Sequence, residues 1–355
     1  MILLNKNEGP YDFSIDIKRE IANQLIEQDW NRYPNMLGKE LREHIAEHHN
    51  LEHDQIFIGN GSSDFIAHLI TVYKKHCKRI VYPLPSFELF ELCGHINDLE
   101  CVPWKVNNNM QYDYENYPGK NGSIYIICNP NNPSGDLIQP NFIENQIKNE
   151  PNSLFIIDEA YIEFSGKTLI HLINTYKNVF VIRTLSKALG LAGVRLGYGV
   201  CHKETAKQLS NKTIPYRLNH FNNIVGKYVF LNYQNQIIPV INRIVENRNN
   251  LFKNLEKLFE GTENRVFPSE GNFILFKTNN ENLFQQLSEK EIKLGKVKYY
   301  PNYYRITVGT KEENKLLLKE LKKIISKTKK PSFDKKIYTK IPALKKIFFP
   351  KVEIV

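Results

Sequence analysis

Short apolar runs rich in β-branched residues alternate, along the first part of the chain, with longer segments whose apolar residues recur at helical spacing. Runs of the first kind are typical of buried strands, and segments of the second kind are typical of amphipathic helices. Strands that alternate with helices predict an α/β fold, in which a mostly parallel sheet is flanked by helices. We predict strands over 55–60, 79–83, 101–104, 123–128, 154–157 and 179–182, and helices over 16–28, 37–49 and 86–96.

The pattern changes after residue 204. Residues 204–258 have helical spacing with a break at Pro215, and a helix across 236–258 is long enough to link two domains. Predicted strands over 266–277 and 303–308 then alternate with predicted helices over 281–289 and 311–325, which indicates a small α+β domain. We therefore expect an N-terminal arm (1–30), a large cofactor-binding domain (31–235), a small C-terminal domain (236–328) and a C-terminal extension (329–355).

Composition narrows the class of protein. With 355 residues, of which 41% are hydrophobic, the chain can bury a large core. It has no apolar run of 18 residues and no basic region followed by a long apolar stretch at its start. We therefore expect no membrane insertion and no signal peptide. The five cysteines are scattered without a paired spacing, which predicts reduced thiols and a cytoplasmic protein.

The net charge of +10 is concentrated at the C-terminus. Residues 327–355 contain nine lysines against two acidic residues, which leaves only about +3 on the rest of the chain. So small a charge on the body argues against a nucleic-acid partner. We expect the lysine-rich segment to be a loosely packed extension, with a contact to a membrane surface or an acidic partner as the alternative.

Four histidines lie close together in the sequence, at His44, His48, His49 and His53. The i, i+4 pair His44/His48 could bind a metal ion, but no carboxylate completes a known metal-binding pattern. We therefore predict a solvated helix face and no metal site.

The stretch over 178–200 has the strongest chemical signal. An apolar strand ends in Thr184-Leu-Ser186-Lys187, and Arg195 follows after a segment of small residues and glycines. A lysine just past a strand end suits an amine that forms a Schiff base with an aldehyde cofactor. Ser186 and Arg195 suit a phosphate group. The alternative is a surface lysine and an arginine in a helical salt bridge.

Other strand ends carry compatible groups. Ser62 and Ser63 open a predicted helix after Gly61, which suits either a phosphate site or an ordinary helix cap. Phe87 follows a strand end and suits either stacking on a ring or packing in the core. Asp158 ends a buried strand, where a carboxylate faces the ligand crevice of an open α/β sheet.

These segments together resemble the fold-type I enzymes that use pyridoxal 5′-phosphate, in the class I/II aminotransferase superfamily. The histidinol-phosphate aminotransferase branch is the most similar. The resemblance covers about residues 3–310 in the family's order. It rests on LNKNEGPY, NRYPN, GNGSSD, YPLPSFELF, CNPNNPSG, IIDEAYIEF, TLSKALGLAGVRLGYG, EGNFILF and YYRITVGT.

The resemblance implies a role for each matching residue. Lys187 resembles the lysine that holds the cofactor and moves the substrate proton, and Asp158 resembles the carboxylate that keeps the pyridine nitrogen protonated. Tyr161 and Asn132 resemble the pair that hydrogen-bonds the ring oxygen, and Phe87 resembles the stacking aromatic. The residues that resemble the phosphate site are Ser62, Ser63, Thr184, Ser186 and Arg195.

Tyr33 resembles the tyrosine that reaches the cofactor phosphate of the neighbouring subunit, which implies a homodimer with shared active sites. Arg305 resembles the arginine that binds the anion of the substrate, and Asn7, Asn132 and Arg217 are further candidates for substrate binding. A surface salt bridge is the alternative for Arg217.

One departure from the family concerns the substrate. A second arginine, usual about a dozen residues before the one that matches Arg305, is absent from the stretch over 292–298. Lys293, Lys296 or Lys298 could supply a positive charge there, but not a planar fork.

The function implied is an aminotransferase that passes an amino group from a donor such as glutamate to a small phosphorylated keto compound. The alternative is a decarboxylase of a phosphorylated amino acid, similar to threonine-phosphate decarboxylase, because the same cofactor residues serve both reactions. A cofactor-binding regulator would need a fused DNA-binding module, for which the predicted elements leave no room.

Overall fold

A computed structural model describes residues 1–210, 212 and 215–328; the predicted extension over 329–355 lies outside the described residues. The strands are β1 (Ile2–Leu4), β2 (Ile56–Gly59), β3 (Arg79–Leu84), β4 (Glu100–Lys105), β5 (Ser123–Cys128), β6 (Leu154–Asp158), β7 (Val179–Thr184), β8 (Gly197–Cys201), β9 (Arg265–Phe267), β10 (Phe273–Lys277), β11 (Ile292–Lys296) and β12 (Tyr303–Thr307). The helices are α1 (Ile15–Ile26), α2 (Lys39–His49), α3 (Ser62–Tyr73), α4 (Leu89–Ile96), α5 (Pro140–Asn149), α6 (Lys203–Ser210), α7 (His220–Leu231), α8 (Ile238–Phe259), α9 (Leu283–Ser288) and α10 (Lys311–Thr328).

The larger sheet has seven strands in the order β2-β8-β7-β6-β5-β3-β4. The strands from β7 to β4 run parallel to one another, whereas β8 is antiparallel to both of its neighbours. Every residue of β5, β6 and β7 is buried, as expected for parallel strands that are covered on both faces. The predicted α/β architecture is therefore confirmed.

The smaller sheet has five strands in the order β1-β11-β12-β10-β9. Its first strand comes from the N-terminus and pairs in parallel with β11. The prediction of one strand over 266–277 is wrong, because this segment forms β9 and β10, which pair as an antiparallel hairpin. Pro268 and Gly271 lie in the connection, where a residue without an N–H donor and a flexible residue interrupt the ladder.

The predicted long helix is α8, and it contacts the cores of both sheets. Its buried residues recur at spacings of three or four residues. Ile241 and Ile244 pack in the core of the larger sheet, and Leu251 and Leu255 pack in the core of the smaller sheet. One rigid element therefore holds the two sheets together. Within the described ranges, no helix has the length and apolarity needed to cross a bilayer.

The prediction of a solvated histidine face on α2 is wrong for His48 and His49. His48 packs against the rings of Phe230 and Tyr233, and a ring nitrogen of His49 lies 2.8 Å from the Tyr198 hydroxyl. Burial lowers the pKa of His49 to about 2, so this imidazole is neutral at physiological pH. Both rings are part of an aromatic cluster that joins α2 to the larger sheet.

A buried ion pair lies directly behind the carboxyl ends of β6 and β7. The Glu159 carboxylate accepts from Nε (3.0 Å) and Nη2 (2.8 Å) of Arg183, and both side chains are less than 10% exposed. The Leu169 N–H and the Thr168 hydroxyl also donate to this carboxylate. Such a pair is expensive to break, because removing one charge leaves the other buried without a partner.

We expect Glu159→Gln to lower the free energy of unfolding by about 3 kcal/mol, because the substitution keeps the shape of the side chain but removes the charge that balances Arg183. Urea denaturation followed by circular dichroism measures this loss. The matched control is Glu204→Gln, which removes a carboxylate from an exposed pair with Lys177 and should leave the midpoint unchanged. Equal midpoints for the two variants would contradict the prediction.

Candidate active site

A cavity of about 340 Å³ lies at the carboxyl ends of β5, β6 and β7. The start of α3 closes one side of this cavity, and residues 5–7 of the N-terminal segment close another. Ligands of open α/β sheets bind at this edge, because the strand ends and helix starts leave a crevice there. Of the predicted site residues, the cavity brings together Asn7, Ser62, Ser63, Phe87, Asn132, Asp158, Tyr161, Thr184, Ser186, Lys187, Arg195 and Arg305.

Lys187 projects into the cavity from the turn after β7. Its amine donates a hydrogen bond to the carbonyl oxygen of Lys6 (2.9 Å). Burial, together with the positive charges of Arg305 and Arg195, lowers the pKa of Lys187 to about 8. This amine therefore loses its proton more readily near neutral pH than an ordinary lysine does, which suits a nucleophile or a base.

Asp158 ends β6 and is 3% exposed. Its carboxylate accepts from the N–H of Ala160 (3.1 Å), which favours the charged form. Burial is the larger effect and raises the pKa of Asp158 to about 7. A positively charged group in the cavity would keep this carboxylate ionised.

Hydroxyl groups, a helix start and a guanidinium converge at one corner of the cavity. Ser62 is the first residue of α3, where free backbone N–H groups and the helix dipole favour an anion. Arg195 donates to Oγ of Ser186 (3.3 Å), which also contacts the hydroxyl of Thr184 (3.0 Å). A Cβ on Gly61 would lie 2.7 Å from Nη2 of Arg195, so only glycine permits this approach. The corner has the donors of a phosphate site.

Arg305 lies on β12 at the opposite side of the cavity, where it is held by neutral groups. Its Nη1 donates to Oδ1 of Asn132 (2.5 Å), and its Nη2 donates to the carbonyl oxygen of Asn5 (2.6 Å). Its Nε is buried and has no partner among the described residues. Gly295 of β11 is the residue opposite Arg305, and a Cβ there would lie 3.0 Å from Nη2 and 3.3 Å from Nε. The glycine thus gives the guanidinium its space.

Two predicted site residues lie outside the cavity lining. Tyr33 is 79% exposed and packs against Tyr216, with ring centroids 4.5 Å apart. Arg217 donates to the carboxylate of Asp64 (2.7 Å) and lies over the ring of Phe65. The structure therefore shows Arg217 in an ion pair and not facing the cavity.

None of the three lysines in the stretch over 292–298 lines the cavity. The Lys298 amine pairs with Glu91 (3.0 Å), the Lys296 amine lies over the ring of Phe284, and Lys293 is exposed on β11. The expectation that one of them replaces a second arginine is therefore not supported by their positions in this chain.

Several residues of the cavity were not predicted from the sequence. Asn5 and Lys6 contribute through their backbone carbonyls, which no side-chain pattern reveals. Cys128 ends β5 beside Asp158 and was predicted only as a strand residue. The glycine at 295 has no chemical signal of its own; its importance follows from the register of β11 with β12.

Comparisons with known proteins agree with this geometry. Residues 1–321 match the family of class I and II aminotransferases. A histidinol-phosphate aminotransferase from Ruminiclostridium cellulolyticum is 31% identical over 331 residues, which are 90% of this chain and 91% of the relative. The crystal structure of the histidinol-phosphate aminotransferase from Clostridium acetobutylicum is 26% identical and superposes with a TM-score of 0.82, covering 92% of this chain and 100% of that one.

A more distant structure shares the fold alone. The L-threonine-O-3-phosphate decarboxylase from Porphyromonas gingivalis superposes with a TM-score of 0.77 at 21% identity, covering 92% of this chain and 100% of that one. The match to the aminotransferase family extends over nearly all the described residues and over both sheets. The chain belongs to the class I and II aminotransferases, and it is an enzyme whose cofactor is pyridoxal 5′-phosphate.

Proposed function

We propose that this enzyme transfers an amino group from a donor, glutamate in the first instance, to a small phosphorylated keto compound. The relatives named as histidinol-phosphate aminotransferases support this substrate class. The observation that carries the proposal is that Lys187, Asp158, Tyr161 and Arg305 line one cavity. An amine, a carboxylate, a phenol and a guanidinium in this arrangement suit the binding of the cofactor on one side and of an anionic substrate on the other.

The residues of the cavity fit pyridoxal 5′-phosphate. The corner formed by Ser62, Ser63, Ser186 and Arg195 would hold its phosphate, with Thr184 beside them. Tyr161 and Asn132 would hydrogen-bond the oxygen on its ring, and Phe87 would stack on the ring. Asp158 is the residue that points most directly to this cofactor. Because burial raises its pKa to about 7, its carboxylate is stabilised by a positive partner, and a protonated pyridine nitrogen is such a partner.

When bound, the cofactor accepts the electron pair that is released as a bond to the substrate Cα breaks. Lys187 is suited to removing the proton from Cα and returning it elsewhere, because burial and two nearby arginines lower its pKa to about 8. Arg305 binds the anion of each substrate in turn, which fixes Cα near the Lys187 amine. Residues 5–7 cover the cavity and restrict the access of water to it.

An exposed group of aromatic and aliphatic side chains supports a homodimer. Ile26, Trp30 and Tyr33 are each more than 70% exposed, and Tyr216 packs beside Tyr33. Apolar groups exposed together are typical of an interface. We infer that Tyr33 reaches the cofactor phosphate of the neighbouring subunit. The five cysteines are all free, which suits a reducing compartment, and we infer a cytoplasmic enzyme.

Mixing the cofactor-loaded protein with glutamate tests the reaction class. We expect the near-visible absorbance of the bound cofactor to fall as one equivalent of 2-oxoglutarate forms per active site, and a phosphorylated ketone to restore it. Release of carbon dioxide from a phosphorylated amino acid, without any 2-oxoglutarate from glutamate, would contradict this proposal and favour the decarboxylase.

Lys187→Ala tests the attachment of the cofactor. Borohydride reduction of the loaded wild type should fix the cofactor on the peptide that contains Lys187, and mass spectrometry of that peptide measures the added mass. The variant should gain no such mass, because Lys6, the other lysine of the lining, meets the Lys187 amine with its backbone carbonyl. The control Lys203→Ala removes an exposed lysine at the start of α6 and should label as wild type does. Labelling at a different lysine would show that Lys187 has been misassigned.

Arg305→Gln tests the anion site. We expect the KM of each substrate to rise roughly 10- to 100-fold, with a smaller change in kcat, because a charge-assisted interaction with the substrate is lost. Steady-state kinetics for donor and acceptor separately measure this. Arg265→Gln is the control, since Arg265 is an exposed arginine on β9 of the same sheet. An unchanged KM in Arg305→Gln would mean that another residue binds the anion.

A further inference from the structure

Asn7 lines the cavity, yet all of its polar groups are bonded within the chain. Its backbone N–H donates to Oγ1 of Thr307 (2.9 Å), and its carbonyl accepts from the side-chain amide of Asn272 (3.1 Å). Its Oδ1 accepts from the Thr307 hydroxyl (3.1 Å), and its Nδ2 donates to the hydroxyl oxygen of Tyr161 (3.0 Å). With 1% of its surface exposed, Asn7 has each of its polar atoms bonded within the chain.

The direction of the contact with Tyr161 follows from the bonds at Thr307. The Thr307 hydroxyl accepts from the Asn7 N–H, and it has a single proton to give to Oδ1 of Asn7. The structure places the amide oxygen of Asn7 on this hydroxyl and its NH₂ group on Tyr161, so the phenol oxygen is the acceptor.

The backbone of Asn7 makes this double contact possible. Its φ of 54° lies in the left-handed region, which asparagine adopts more readily than most residues. In this conformation the backbone N–H and the side-chain oxygen meet one hydroxyl, while the NH₂ group reaches Tyr161. The hydroxyl belongs to Thr307 of β12, so the smaller sheet holds the amide in place.

The consequence concerns the proton of Tyr161. Because its oxygen accepts from Asn7, its own O–H must point elsewhere, and no hydrogen bond joins that proton to another described residue. Tyr161 is 5% exposed and lines the cavity, so the proton is directed towards the space that the cofactor ring would occupy. We propose that Asn7 is a positioning residue that keeps the Tyr161 hydroxyl a donor to the oxygen on the cofactor ring, and is not a ligand of the substrate. This inference rests on the proposed function.

The test is a pH titration of the near-visible absorbance of the loaded enzyme. A hydrogen bond donated to the ring oxygen favours its anionic form and lowers the midpoint of the titration. Asn7→Asp keeps the size of the side chain and tolerates the left-handed backbone, but the carboxylate can only accept, which turns the Tyr161 proton away from the cofactor. We expect the midpoint to rise by about one pH unit, close to the rise caused by Tyr161→Phe.

A second variant separates hydrogen bonding from the added negative charge. Asn7→Gly suits the positive φ and removes the amide without adding charge, so we expect a rise of roughly half a pH unit. The matched control is Asn50→Asp, at an exposed asparagine that has the same φ of 54° at the end of α2. Its midpoint should equal that of the wild type.

An unchanged midpoint in Asn7→Gly, with a shift in Asn7→Asp alone, would assign the effect to charge and overturn the proposal. The proposal is also overturned if Tyr161→Phe shifts the midpoint while neither Asn7 variant does. Thermal unfolding of the unloaded variants identifies any that do not fold. If one Asn7 variant does not fold, the midpoint of the other, compared with that of Tyr161→Phe, still shows whether Asn7 affects the titration. A wild-type protein without a titrating band would contradict the proposed function as well, and the labelling of Lys187 tests that function separately.

Discussion

The burial of the Lys187 amine and the Asp158 carboxyl in one cavity is the constraint on which the site depends. Burial lowers the pKa of the amine to about 8, which suits a base, and raises that of the carboxyl to about 7, so the carboxylate stays ionised only beside a cation. This arrangement is costly without a cationic partner for the carboxylate. The rest of the site supplies the donors that hold such a partner in place, and the Glu159–Arg183 pair balances its own charges directly behind the strand ends.

Three consecutive residues of the N-terminal segment contact site residues that come from both sheets. The carbonyl of Asn5 accepts from Arg305, the carbonyl of Lys6 accepts from Lys187, and the amide of Asn7 donates to Tyr161. These residues directly follow β1, which pairs with β11 of the smaller sheet. A shift of the smaller sheet would therefore alter all three contacts together. The N-terminal segment is thus a structural part of the cavity as well as its cover.

Much of the larger sheet could be predicted from the sequence, because strands that are buried on both faces have continuous apolar runs. Asp158 and Lys187 could be assigned to one crevice, because each lies at the carboxyl end of one of these strands. The strands β1 and β11 were missed, since β1 is three residues long and β11 contains a glycine and two exposed lysines. His49 was misjudged because its burial depends on Tyr198, which is distant in the sequence. For Arg217 the sequence left open a role at the substrate or in a salt bridge, since only the fold brings Asp64 to it.

A substitution at Gly295 would change the substrate side of the cavity. The residue lies inside a regular strand, and its φ is outside the left-handed region, so the backbone accepts any side chain there. An added Cβ would lie 3.0 Å from Nη2 of Arg305 and 3.3 Å from the carbonyl oxygen of Asn5, so it would press on the contact that holds the guanidinium. A single codon change at this position would therefore add volume or charge beside the anion site while leaving the hydrogen-bonded ladder intact. The pocket can diverge in evolution from this point without any change to the residues that hold the cofactor.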